Sequence, residues 1–180
     1  MSPKFGMNFL MKINSMNSFL LYVFGLLIHI LPPTRFWGLK RTLYRMAGAN
    51  IGNNVCINSN VKIYGNNKLV VGDNTWIGPD VLIICSSDVI IGKNCDIAPR
   101  VCICTGTHEI NINSNKTAGK GISMPISIEN GCWICANSVI LPGSTIGSCS
   151  IIAAGAVVKG NIPPKEIWGG IIAKFIKPIK

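Results

Sequence analysis

Acidic residues are scarce in this chain: Asp and Glu number 7 against 17 Lys and Arg, leaving a formal net charge of +10. That balance suits an anionic membrane surface, a phosphorylated small ligand or nucleic acid. Clusters of Lys and Arg interleaved with aromatics are missing, which makes nucleic acid the weakest of the three, and none is expected as a partner. Histidine occurs only twice. The Cys102/Cys104 and Cys132/Cys135 pairs therefore have no spacing that completes four zinc ligands, and no metal is expected. A membrane-spanning run is lacking too: the apolar stretch Phe19 to Leu31 is shorter than the roughly 20 residues a span needs. Lys4 and Lys12 precede it as in a signal peptide, yet Pro32-Pro33-Thr34-Arg35 stands where a small-residue cleavage site should lie. A cytoplasmic location follows as the expectation. The eight cysteines read as reduced structural thiols, because Cys95 and Cys132 each lie two residues before an inward aliphatic where small side chains pack.

What the chain does have is a period of six. Ile51, Ile57, Ile63, Val71, Ile77, Ile83, Ile91, Ile97 and Ile103 mark a first stretch, and Ile128, Ile134, Ile140, Ile146, Ile152 and Val158 a second. Gly follows at Gly52, Gly72, Gly78, Gly92 and Gly147. Neither an α-helix nor an ordinary strand pair has this period. It describes a chain wound into flat-sided coils, with one apolar stack down the inside. Three hexads make one triangular turn, and the early turns carry two extra residues near Gly65-Asn66-Asn67 and Cys85-Ser86-Ser87-Asp88, so one corner bulges in register. With 48% hydrophobic residues over 180 positions, a single buried core is feasible.

Three segments follow. Residues 1–50 read as two short helices either side of Pro32-Pro33, the second with Phe36, Leu39, Leu43 and Met46 at helical spacing. They would cap the open end of the coil, or lie on an anionic membrane face with their apolar side down; the residues leave both open. Residues 51–164 form the coil, and residues 165–180 a basic C-terminal segment. Inside the coil the hexads stop between Ile103 and Ile128, so residues 104–127 must leave as a loop, and loops held by rigid elements often carry function. His108 in that loop could take and return a proton near neutral pH. It could equally hydrogen-bond its own loop. Glu109 beside it could orient the ring, contact an acceptor or face water.

The Ile-Gly repeat from Ile51 to Val158 resembles the hexapeptide-repeat acyltransferases. This resemblance implies a mainly β fold, a left-handed parallel β-helix with short N-terminal helices and a short C-terminal helix. Thr105-Gly106-Thr107-His108-Glu109 is similar to the catalytic segment of sugar O-acetyltransferases in that family. It implies His108 as general base, with Glu109 beside it, and acetyl-CoA as co-substrate. A backbone N–H near Ala136 would serve the oxyanion. Gly131-Cys132-Trp133-Ile134-Cys135-Ala136-Asn137 resembles the family's cofactor-lining segment, which implies that Trp133, Ala136 and Ala154 flank the pantetheine arm. Lys159, Lys174 and Lys177 would then approach the nucleotide phosphates. Asp80 is the substrate-side candidate, since Gly78 stands where some relatives carry an acceptor-contacting Asn. The family's clefts form between subunits, which implies a homotrimer. The expected function is acetyl transfer to a sugar or glycan hydroxyl in surface polysaccharide or lipopolysaccharide synthesis; the alternative is another acceptor, such as an amino sugar, serine or an antibiotic.

Overall fold

In the computed structural model, residues 15–179 are described; Lys4 and Lys12 lie outside them. Short strands, all parallel except the last on face 2, stack into three flat faces of six, seven and five strands. Face 1 aligns Ile51, Val71, Ile91, Ile128, Ile146 and Ile162 in register. Face 2 aligns Ile57, Ile77, Ile97, Ile134 and Ile152. Face 3 aligns Ile63, Ile83, Ile103, Ile140 and Val158. Nearly all these repeated residues are buried, so the period of six becomes one continuous core. Burying each side chain contributes roughly 1.5–3 kcal/mol, which offsets the many turns.

The corners explain the Asn and Gly. Between faces 1 and 2, Asn54, Asn74 and Asn94 adopt positive φ of 55°, 58° and 55°, and Asn tolerates that left-handed region better than most residues. Their amides also form a ladder, Asn54 donating to Asn74 and Asn74 to Asn94, each at 3.2 Å. The Gly after the inward residue of face 1 has a different cause. A Cβ on Gly72 would sit 2.6 Å from the backbone of Gly92 and Lys93, so only Gly lets the coils approach this closely.

All eight cysteines are free. Cys95 and Cys132 continue a buried column with Thr75 and Ser150. Thr75 donates to Gly92 O at 2.7 Å, Cys132 to Gly147 O at 3.2 Å and Ser150 to Pro163 O at 2.7 Å. These thiols thus act as weak donors in a position where hydroxyls serve equally. Burial pushes the Cys85 thiol up to about 12, with Asp88 adding to the effect.

Helix α1 spans Ser18–His29, capped by the Asn17 side chain, and helix α2 spans Trp37–Met46. Together they close the first coil. Arg41 donates to Val55 O at 3.0 Å, and Arg45 to Ile51 O at 2.7 Å and Gly52 O at 2.9 Å. These carbonyls have no preceding coil to pair with. Buried Lys40 binds the carbonyls of Pro32 and Pro33 at 3.0 and 2.8 Å and lies over the Trp37 ring. Burial lowers its pKa, opposed by the nearby Cys56. Of the apolar residues spaced along α2 only Leu43 packs against the core; Lys40 and Tyr44 are buried, while Phe36, Leu39 and Met46 are exposed. Guanidinium caps on open carbonyls, rather than the aliphatic stripe, orient this helix.

The C-terminal segment is also a correction. Among the described residues no short C-terminal helix forms; Glu166–Gly169 and Lys174–Pro178 pair as an antiparallel hairpin on face 2. β-branched and aromatic side chains favour strands, and Trp168 meets Phe175 edge-on, with 6.3 Å between ring centroids. Gly170 at φ 95° makes the turn.

Candidate active site

The excursion leaves the coil at the corner between faces 3 and 1, the same corner that bulges at Gly65 and Cys85. Instead of an irregular loop it is a two-stranded hairpin, Gly106–Ile110 against Ala118–Ser123. Thr105 anchors its base. This fully buried hydroxyl donates to Ile84 O at 2.8 Å and accepts from the Ser87 N–H at 2.9 Å. On the return side, Met124 N–H donates to Thr105 O at 2.9 Å. Sequence reasoning passed over Thr105, although a hydroxyl at the point where an aliphatic repeat breaks off is a usable signal.

His108 sits in the outgoing strand, exposed, with Gly121 as its cross-strand partner. Gly121 has nothing within 4 Å of where a Cβ would stand, so one flank of the imidazole is open. Glu109 is the next residue of the same strand. The ladder shifts register between His108 and Ile110, so Glu109 sits at a bulge, and among the described residues no hydrogen bond joins it to His108. Lys159 lies at the same corner as the excursion, between the strands Val157–Val158 and Asn161–Ile162.

The other candidates gather elsewhere. Trp133, Ile151, Ile167 and Lys177 form one register line across face 2, with Ile134 and Ile152 beside them pointing inward. Lys174 pairs with Gly169 in the C-terminal hairpin. Ala136 and Ala154 stack at the corner between faces 2 and 3, where the Gly155 N–H donates to Ala136 O at 2.9 Å. The turn of the C-terminal hairpin reaches this corner too, through Val157 N to Gly170 O at 3.0 Å and Ala173 N to Val157 O at 2.8 Å. Asp80 also belongs to it, at φ 57°, accepting a hydrogen bond from the Asn60 amide at 2.6 Å. One chain therefore separates its candidates into two groups across face 3: His108, Glu109 and Lys159 at one edge, and Trp133, Ala136, Ala154, Asp80, Lys174 and Lys177 on or beside face 2. The cavity bordered by Lys177 is lined by Ile151, Ile167, Pro178 and Ile179, and His108 does not reach it.

With the geometry in place, the repeat itself is the first point of comparison. Residues 125–160 match the family model described as bacterial transferase hexapeptide (six repeats). Among solved structures, the chain is similar to a hexapeptide-repeat acetyltransferase of Vibrio cholerae complexed with acetyl coenzyme A. That match has 26% identity and a TM-score of 0.80, covering 91% of this chain and 87% of that one. A galactoside acetyltransferase in complex with coenzyme A matches at 26% identity and a TM-score of 0.72, covering 91% and 80%. By sequence, the galactoside O-acetyltransferase of Escherichia coli is 40% identical over 72 residues, which is 40% of this chain and 33% of that protein. The chain spans at most 40% of the length of the curated relatives it matches here. Stacked hexads, parallel faces and an excursion hairpin define a hexapeptide-repeat β-helix. In fold and repeat the chain is similar to hexapeptide-repeat acetyltransferases.

Proposed function

We propose that this protein transfers an acetyl group from acetyl-CoA to a hydroxyl of a sugar or glycan, with His108 as general base. The observation that carries this reading is the placement of His108. A single exposed imidazole stands on a hairpin, anchored by a buried Thr, that breaks an otherwise regular coil. The relatives' names support the reaction class, because the Vibrio cholerae protein was solved with acetyl coenzyme A and the Escherichia coli one is a galactoside O-acetyltransferase.

The face 2 group suits the donor. Ala136 and Ala154 present small side chains at a corner beside the exposed Trp133, where a thin extended arm can lie. Lys174 and Lys177 supply point charges for phosphates. The Ala136 N–H finds no hydrogen-bond acceptor among the described residues, so it can meet an oxyanion. His108 takes the proton of the acceptor hydroxyl as that oxygen attacks the thioester carbonyl. The C–S bond then breaks, an ester forms, and the proton passes to the leaving thiolate. Because the two groups occupy different edges of one chain, a complete site brings the His108 edge of one subunit against the face 2–face 3 edge of another. A homotrimer supplies that junction three times by symmetry.

General-base help of this kind is typically worth about 10²–10⁴ in rate. His108→Ala should lower kcat by that factor while the melting curve stays unchanged. Coenzyme A release against a panel of nucleotide sugars and glycans, with products identified by mass spectrometry, measures both the loss and the acceptor. Full activity in the variant would remove His108 from the mechanism.

A further inference from the structure

The charge of this chain is distributed unevenly. Residues 1–72 contain no Asp or Glu, yet they hold eight of the 17 Lys and Arg; the first acidic residue is Asp73. Arg41, Arg45 and Lys40 spend their hydrogen bonds on carbonyls, which satisfies their donors without cancelling their charge. Asp73, Asp80 and Asp88 approach this end from the second coil, accepting from the Asn53 N–H, the Asn60 amide and the Lys68 N–H, while the helices and first coil add only positive charge, so the helical end keeps a net positive field.

The same end exposes an apolar stripe. On α1, Phe19 (71% exposed), Tyr22 (66%), Leu26 (55%) and Ile30 (79%) follow one another at intervals of three or four residues, opposite the buried Leu21 and Ile28. Residues so spaced share one helical face. Phe36, Leu39 and Met46 add exposed apolar side chains along α2. Between α1 and the first coil runs a groove of about 270 Å³, lined by Leu21, Tyr22, Leu26 and His29 on one wall and Ile63 and Tyr64 on the other, with Lys62 among its lining residues. A scattered exposed apolar residue is ordinary, but a contiguous stripe marks an interaction surface.

We infer that this end docks on the surface of an anionic lipid bilayer, with the α1 stripe in the headgroup–acyl boundary and Arg35 and Lys62 at the phosphates. A helix of 12 residues is about 18 Å long, short of the roughly 30 Å hydrocarbon core. Among the described residues no helix is long and apolar enough to cross a membrane. The helix therefore lies in the interface rather than through it. A second copy of the chain is a poorer occupant, because pairing two ends of net positive charge would set like charges against each other. Tyr22 and Trp37 are also of the types enriched at membrane interfaces.

The test is co-sedimentation of the full chain with two kinds of vesicle, phosphatidylcholine alone and phosphatidylcholine containing about one-third phosphatidylglycerol. Binding should be about tenfold stronger to the anionic vesicles and should weaken as salt is raised. The triple variant Tyr22→Ser, Leu26→Ser, Ile30→Ser should lose it, and Lys62→Glu should weaken it about fivefold or more. All four side chains are exposed, so the melting transition should persist; if the triple variant loses it, Phe19→Ser with Ile30→Ser gives the same reading from the ends of the helix. Absence of anionic-vesicle binding would overturn the inference, as would serine variants that bind like the wild type. So would a stripe whose loss changes only the self-association of the protein, since a second copy would then be its occupant.

Discussion

Gly72 and Gly25 are both glycines, yet the structure asks opposite things of them. A Cβ at Gly72 would meet the Gly92 carbonyl carbon and the Lys93 nitrogen at 2.6 Å, whereas a Cβ at Gly25 meets nothing within 4 Å. Gly72→Ala must push two coils apart and should cost about 1–3 kcal/mol, as other overpacked sites do. Gly25→Ala in helix α1 should instead stabilise by up to about 1 kcal/mol. Thermal melting of the two variants checks both signs, and a Gly72→Ala protein as stable as the wild type would refute the close-approach account. The Ile-Gly pairs were legible in the sequence as a repeat. The distinction between glycines that serve φ and glycines that serve contact was not, because it depends on what the next coil brings to within 3 Å.

At the level of elements, the hairpin is rigidly tied to the coil by very few atoms. Thr105 holds Ile84 O and the Ser87 N–H with one buried hydroxyl, three residues ahead of His108. Thr105→Val keeps the shape and the Thr105 N–H bond to Ile84 O but removes both hydroxyl bonds, leaving the Ser87 N–H unpaired at a cost of about 1–3 kcal/mol. The expected result is a lower kcat with an unchanged KM for acetyl-CoA, since the residues proposed for the donor lie on another edge. A KM change alone would instead assign Thr105 to the donor side. The excursion itself could be read from the sequence, since hexads stop at Ile103 and resume at Ile128. Its hairpin form could not, because Gly106–Ile110 and Ala118–Ser123 carry no alternating apolar pattern. The orientation of helix α2 was not legible for a related reason. Its aliphatic spacing is regular, but the end of a β-helix presents unpaired carbonyls, and Arg41 and Arg45 answer them more strongly than Leu39 or Met46 could answer the core. The C-terminal hairpin was missed because Trp168 and Phe175 meet only across a turn.

On the scale of the molecule, the prism separates the residue proposed for proton transfer from those proposed for the donor. His108 projects from the edge between faces 3 and 1, while Ala154, Lys174 and Lys177 lie at the far side of face 3. The acetyl-transfer account thus requires two copies of the chain for each site. Subunit mixing tests this most directly. His108→Ala removes the base from one edge, and Ala154→Trp fills the exposed donor corner at the other. Each homo-oligomer should be inactive, but a co-refolded equimolar mixture should regain about a quarter of the wild-type coenzyme A release, from junctions that pair an intact edge of each kind. A mixture as inactive as its parents, measured on assemblies shown to contain both subunits, would contradict the shared site.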